Sequence, residues 1–178
     1  MSFDLQPTLK GTLKGTLLEL RPLRQDDFPA LYAVASDPLI WELHPSPDRY
    51  KPDVFKEFFR EAMESGGALI ARDGRVIGSS RFHGYDEEKS EIEIGWTFLA
   101  RSYWGGVYNR EMKQLMLAHA FQFVRSVVFL VGPENRRSQR AMEKIGGVRL
   151  PTRRNWKGRE SVVYQIKGPA CKAGPSDN

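Results

Sequence analysis

Cysteine is all but missing from this chain. Its one copy, Cys171, sits in a polar tail, which excludes an intrachain disulfide and marks no catalytic thiol. Histidine is nearly as scarce: His44, His83 and His119 stand far apart with no metal-ligand spacing, so no metal is expected. No apolar run approaches the roughly 18 residues that span a bilayer. The N-terminus has no basic segment leading into an apolar one. These absences lead to the expectation of a cytoplasmic protein with no membrane association.

What is present fits one soluble globular domain. The 178 residues are 40% hydrophobic and 28% charged, enough apolar material for a sizeable core. The net charge of +5 raises the question of a polyanionic partner. The excess is partly local, because Arg149, Arg153, Arg154, Lys157 and Arg159 cluster late in the chain. That cluster reads as the solvated rim of a hairpin. Nucleic-acid binding needs aromatics among the charges, and only Trp156 qualifies, so nucleic acid is not the expected partner.

Leu-Lys-Gly-Thr occurs twice in tandem over residues 9–16, too little for a repeat architecture, and residues 1–15 read as a flexible lead-in. Leu17 to Leu23 is a first strand. Asp26 or Asp27 caps a helix to about Ser36, stopped by Asp37-Pro38. The segment 39–50, with Trp41, His44, Pro45, Pro47 and Tyr50, is a packed connector or one wall of a pocket. Pro52 opens a second helix with Phe55, Phe58, Phe59 and Ala62 on one side, ending at Gly66-Gly67. Asp73-Gly74 joins two strands, Ala68 to Arg72 and Arg75 to Tyr85, as a two-residue hairpin.

The chain is organised around residues 91–113. Glu91 and Glu93 alternate with Ile92 and Ile94, the period of a half-buried strand. Gly105-Gly106 then leads into a helix that carries Met112, Leu115, Met116, His119, Ala120 and Phe123 on one face. A strand feeding a glycine loop into a helix start is either a structural turn or an anion cradle, where free N–H groups and the helix dipole favour negative charge. Val127 to Val131 is wholly apolar and reads as a strand covered on both sides. Asn135 caps a helix ended by Gly146-Gly147. Strands around Val148–Leu150 and Ser161–Lys167 follow, linked by the basic turn, and residues 168–178 read as a disordered tail.

With this order, the chain resembles the GNAT superfamily of N-acetyltransferases, near the RimJ/RimL ribosomal-protein acetyltransferases, over about residues 15–167. Ile94-Gly95-Trp96-Thr97 is similar to the end of the family's fourth strand. Trp104-Gly105-Gly106 and Asn109-Arg110-Glu111-Met112-Lys113 are similar to its pyrophosphate loop and helix. Asn135 to Gly146 is similar to its Asn-x-x-Ser helix. Ser102 and Val107 depart from the usual loop, standing where Gln or Arg and a second glycine are common. The resemblance implies an α+β fold with a mixed, mostly antiparallel sheet, about four helices and a central β-loop-α site, within a domain spanning 16–167.

It also implies acetyl-CoA as cofactor and direct acetyl transfer to a primary amine, either a protein N-terminus or a small molecule, and it leaves room for a homodimer. The cofactor is expected on the backbone of Trp96, Thr97 and Phe98 and on the loop Gly105, Gly106, Val107, Tyr108 and Asn109, with Arg101, Asn135 and Ser138 in reach. Ser138 is also expected to meet the thiolate. Glu93 is the base candidate on the central strand, with Glu91, His83 or water as rivals. Trp41, His44, His83 and Tyr85 are expected to wall the acceptor site. The bland readings stand beside these: Asn135 as an N-cap, Glu93 as an exposed strand carboxylate, Arg101 as a solvated cation. A CoA-binding regulatory module without catalysis is the alternative.

Overall fold

The computed structural model describes residues 9–169. Residues 1–8 of the expected lead-in and 170–178 of the expected tail lie outside the described residues. The element order is β1 (Leu13–Lys14), β2 (Glu19–Pro22), α1 (Phe28–Ala35), α2 (Pro52–Glu64), β3 (Gly67–Arg72), β4 (Arg75–Asp86) and β5 (Glu91–Leu99). Then come α3 (Val107–Ala120), β6 (Ser126–Val131), α4 (Arg136–Lys144), β7 (Val148–Trp156) and β8 (Arg159–Lys167). This is the mixed α+β architecture implied by the sequence.

The strands form one sheet in the order β1-β2-β3-β4-β5-β6-β8-β7. Only β5 and β6 run parallel; the other neighbours are antiparallel. Asp73 and Gly74, both with positive φ (49° and 75°), make the tight turn between β3 and β4, as an Asp-Gly hairpin requires. Part of the segment read as a lead-in carries structure. Leu9 is buried in the core, and Leu13–Lys14 pairs with Leu20 and Glu19 at the sheet edge. The Glu111 carboxylate of α3 accepts the backbone N–H groups of Thr16, Leu17 and Leu18 at 2.7–2.8 Å, tying that edge to the helix.

Two cores flank the sheet. In one, Met112, Met116, Leu117 and Ala120 of α3 and Met142 of α4 pack on Phe82, Ile92, Ile94, Val127 and Phe129. In the other, α1 and α2 pack Leu31, Ala35, Phe55, Phe58 and Phe59 around Trp41 and Phe98. The late basic segment is a longer hairpin than expected. β7 runs on through Pro151 to Trp156, which an edge strand tolerates because its outer N–H groups need no partner. A register shift between Arg149 and Arg153 accommodates the irregularity.

The feature that positions the site is the separation of β5 from β6. They pair only at Glu91↔Ser126, Ile92↔Val127 and Glu93↔Val128, yet β5 continues to Leu99 and β6 to Val131. The cause lies on the other edge of β5. Between the pairs Arg81↔Gly95 and Ser79↔Phe98, β5 advances by one residue more than β4. The surplus residue makes a β-bulge, and Trp96 sits there with φ 51°. A bulge bends its strand and leaves backbone groups unpaired, so β5 swings away from β6 and a cleft opens between them.

Candidate active site

At the mouth of this cleft stand Glu93, His83 and Trp96. The Glu93 side chain is 14% exposed, and its Oε2 lies 3.8 Å from His83 Nδ1. The His83 ring is 4.9 Å from the Trp96 ring, edge to face. Gly95 makes room for this arrangement: a Cβ there would come within 3.0 Å of Glu93 Oε1. Glu91, two residues earlier, is engaged differently. It is buried, takes a bond from Arg154 Nη2 at 2.7 Å and faces Gln165 Nε2 at 3.3 Å. Glu91 therefore fastens the β7–β8 hairpin to the sheet, whereas Glu93 stands beside His83.

The glycine loop lies at the far end of β5. Gly105 and Gly106 have φ of 115° and 108°, a region closed to most side chains. A Cβ at either would meet nothing within 4 Å, so backbone conformation, not crowding, calls for glycine. Gly106 is the N-cap of α3 and offers no side chain, and the first turn holds no acidic residue. The N–H groups of that turn thus point outward without intrahelical partners, beside the positive end of the helix dipole. Val107 is exposed and opens the helix. The hydroxyl of Tyr108 accepts a bond from Arg72 Nη1, and Asn109 is half-buried.

The start of α4 comes to the same place. Arg137 lies over the Trp104 ring at 4.0 Å, so two helix N-termini flank the loop. Asn135 acts as the N-cap of α4, its Oδ1 accepting the Ser138 N–H at 3.1 Å. Ser138 is half-buried on the first turn. Arg101, expected beside phosphate, instead donates to Asp37 Oδ2 at 2.5 Å and ties the loop to the end of α1.

Two residues missed from sequence, Lys113 and Ser80, lie beneath the cleft. Lys113 is 3% exposed. Its Nζ donates to Thr97 Oγ1 at 2.8 Å and sits 5.0 Å from the centre of the Phe129 ring, between β5 and β6. Thr97 Oγ1 also contacts Ser80 Oγ at 2.8 Å. Burial pushes the Lys113 ammonium down to about 7, with the charge of Glu93 opposing. A sequence signal existed: Met116, Leu117 and Ala120, at three, four and seven residues beyond Lys113, are all buried, which puts the lysine on the inner stripe.

A stability consequence follows. An unfolded lysine keeps its proton to about 10.4, whereas Lys113 releases its own near 7. Between those values the unfolded chain binds more protons, so this group makes stability rise with pH; below 7 the full cost of a buried charge is present. Lys113→Met is expected to melt roughly 4–10 °C above wild type at pH 6, with the gap closing toward pH 10. Melting curves across that range check it, and a gap independent of pH would show that the charge is not what burial penalises.

The expected acceptor wall is only partly assembled. Trp41 is 1% exposed, with its indole N–H donating to the Ala35 carbonyl at 2.7 Å and its ring 4.9 Å from Phe98. It is a core residue beneath the site and not a surface wall. His44 is half-buried next to it; burial first, then Arg49 and Arg159, push its imidazolium down to about 3. Tyr85 lines a separate cleft of about 570 Å³ that reaches His83 but includes none of Gly95–Phe98.

The basic hairpin is largely matched within the chain. Arg153 pairs with Glu160, Arg154 with Glu91 and Lys157 with Glu61, while Arg159 donates to the Pro45 carbonyl and Ser46 Oγ. These contacts strap the hairpin to β5, to α2 and to the 39–50 segment. Among the described residues no acidic or histidine cluster is arranged to hold a metal ion, and no helix is long and apolar enough to cross a membrane.

Known proteins share this fold. No curated protein matches the chain. A solved structure provisionally described as an acetyltransferase is 27% identical with a TM-score of 0.77, over 90% of this chain and 88% of the other. An acetyltransferase from Agrobacterium tumefaciens is 25% identical with a TM-score of 0.71, over 88% and 94%. A provisionally named ribosomal-protein-serine acetyltransferase from Vibrio cholerae shares the fold at 16% identity, with a TM-score of 0.68 over 90% and 99%. The model of the acetyltransferase (GNAT) domain matches residues 18–148, and the chain belongs to that family.

Proposed function

We propose that this acyl-CoA-dependent acetyltransferase moves acetyl from acetyl-CoA directly to a primary amine, with Glu93 receiving the amine's proton. The observation that carries the reading is the Trp96 bulge, which opens the cleft beside Glu93. The residues fit the cofactor. The unpaired edge of Trp96–Phe98 suits an extended pantetheine, the N–H groups of Gly106 to Asn109 suit its pyrophosphate, and Arg137 adds positive charge beside them. When bound, acetyl-CoA supplies an activated thioester.

The chain's own residues do the rest. Glu93 takes a proton from the acceptor ammonium, directly or through water, with His83 3.8 Å away. The backbone N–H groups at the bulge polarise the reacting carbonyl. Ser138 hydrogen-bonds the departing sulfur, a modest role suited to a hydroxyl that is a poor acid. The motifs at 94–97, 104–113 and 135–146 together support a place near the RimJ/RimL branch. Cytoplasmic location is part of the same reading, and a homodimer is compatible with it.

The test is a panel of protein N-terminal peptides and small amines, incubated with acetyl-CoA while free thiol is measured. Thiol release that requires an amine supports transfer; release indifferent to every amine overturns it. Ser138→Ala is expected to lower kcat while leaving cofactor affinity unchanged. An unchanged kcat in the folded variant removes Ser138 from the chemistry.

A further inference from the structure

The α1/α2 side of the Trp96 bulge holds more guanidinium than the chain can satisfy. Arg81, at the centre of β4, is 2% exposed. Its Nη2 donates to the Phe58 carbonyl at 3.1 Å, but Nη1 is 3.9 Å from Glu61 Oε2 and Nε has no partner among the described residues. Its guanidinium carbon lies 4.7 Å from the Trp96 ring centre and 5.1 Å from that of Phe58. Arg49 approaches the same Phe58 ring at 4.5 Å and Trp41 at 5.2 Å.

The polar contact of Arg49 is no better. Its Nη1 is 3.2 Å from His44 Nε2, while His44 Nδ1 takes the Ser46 N–H at 3.1 Å. A neutral imidazole has one acceptor nitrogen, and His44 is held neutral. It can serve Ser46 or Arg49, but not both, so one donor in this corner always lacks an acceptor. Burial pushes both arginines down only to about 10, so both stay charged near neutrality. The facing groups complete the imbalance. Arg159 comes from the hairpin, Glu61 is shared with Lys157 Nζ at 3.0 Å, and Glu93, which acts on Arg81 through its charge, stands beside His83. A buried charge without a full set of partners is costly.

We propose that the acceptor amine carries a carboxylate, and that Arg49 and Arg81 bind it while the amine faces Glu93. This deepens the acetyl-transfer reading and rests on it. A planar carboxylate offers two acceptor oxygens to guanidinium forks, which is what the orphaned Nε and the contested Nη1 lack. The aromatic walls of Trp96 and Phe58 keep water from competing. The acceptor so described is zwitterionic: its anion meets the arginines and its cation meets the carboxylate of Glu93. A small α-amino acid has this pattern.

The experiment compares the α-amino acids with their carboxamides, which keep the amine and lose the charge. Binding is read by the shift in melting temperature at saturating CoA, and turnover by thiol release from acetyl-CoA. At least one acid is expected to bind about 10–100-fold more tightly than its amide. In Arg49→Met and Arg81→Met the ratio is expected to fall to about one. Arg49 is only part-buried, so its variant carries the test should Arg81→Met fail to fold. An acid that binds selectively but is never acetylated overturns the amine-transfer reading and keeps the carboxylate site. Amides that bind as well as acids, no acid that binds, or a preference that survives Arg49→Met, each overturn the site.

Discussion

Glu93→Gln is expected to lower kcat/KM for amine acetylation by about 10²–10⁴-fold at neutral pH, the usual contribution of a positioned base. Glutamine keeps the volume and can still hydrogen-bond, so the Gly95 and Trp96 backbone has no reason to move. What it loses is the capacity to take a proton from an ammonium. The rate of the variant should therefore recover as pH rises and more acceptor enters as free amine. Wild type should level off first. His83, 3.8 Å away, is another base beside it, so the same profile measured on His83→Gln separates the two. A variant whose profile runs parallel to wild type at every pH would place the proton acceptor elsewhere. Glu91→Gln provides the contrast. Its charge faces Arg154, so its loss should loosen the hairpin and lower the melting temperature, with the pH profile keeping its shape.

The parts of this fold that were legible in sequence are those set by neighbours in the chain. Asp73-Gly74 names its own turn because its backbone angles are local. The alternation at Glu91–Ile94 and the apolar run Val127–Val131 report which faces are covered. The Asn135 cap needs only Ser138, three residues on. The site itself was less legible, because it depends on register. The Trp96 bulge exists only as a mismatch between β4 and β5, and no residue type marks it beyond Gly95. The buried cations were hidden for a related reason. Arg81 sits in a strand whose apolar neighbours read correctly, yet its partners, Phe58 and Glu61, arrive from α2. The basic cluster at 149–159 read as a solvated rim because Glu61, Glu91 and Ser46, its partners, are distant in sequence. Trp41 misled in the opposite direction. An aromatic in a proline-rich loop suggests a pocket wall, but its indole N–H finds a buried carbonyl, so the ring turns inward.

CoA is expected to raise the melting temperature by roughly 5–11 °C at about 100 times its Kd. Binding to the folded state alone adds about 2.7 kcal/mol at that concentration, and each kcal/mol moves the midpoint by about 2–4 °C in a domain of this size. In the proposed reading the contacts behind this shift are backbone N–H groups at the start of α3, so substitutions should act through conformation and charge. At Gly106, φ of 108° makes any side chain a strain even though a Cβ there meets no atom within 4 Å. Gly106→Gln therefore imposes strain without charge, and Gly106→Glu adds a negative charge where phosphate must lie. Both should lower the unliganded melting point by similar amounts. The shift on adding CoA should be reduced in Gly106→Gln and close to zero in Gly106→Glu, because like charge opposes the ligand and not the fold. Dephospho-CoA, lacking the 3′-phosphate, should shift wild type less than CoA does if Arg137 meets that group, and Arg137→Met should then erase the difference between the two ligands. Adenosine should shift almost nothing. Equal shifts in Gly106→Gln and Gly106→Glu would mean that the loop does not face phosphate. Folded wild-type protein that ignores millimolar CoA would remove the cleft beside β5 as the cofactor site.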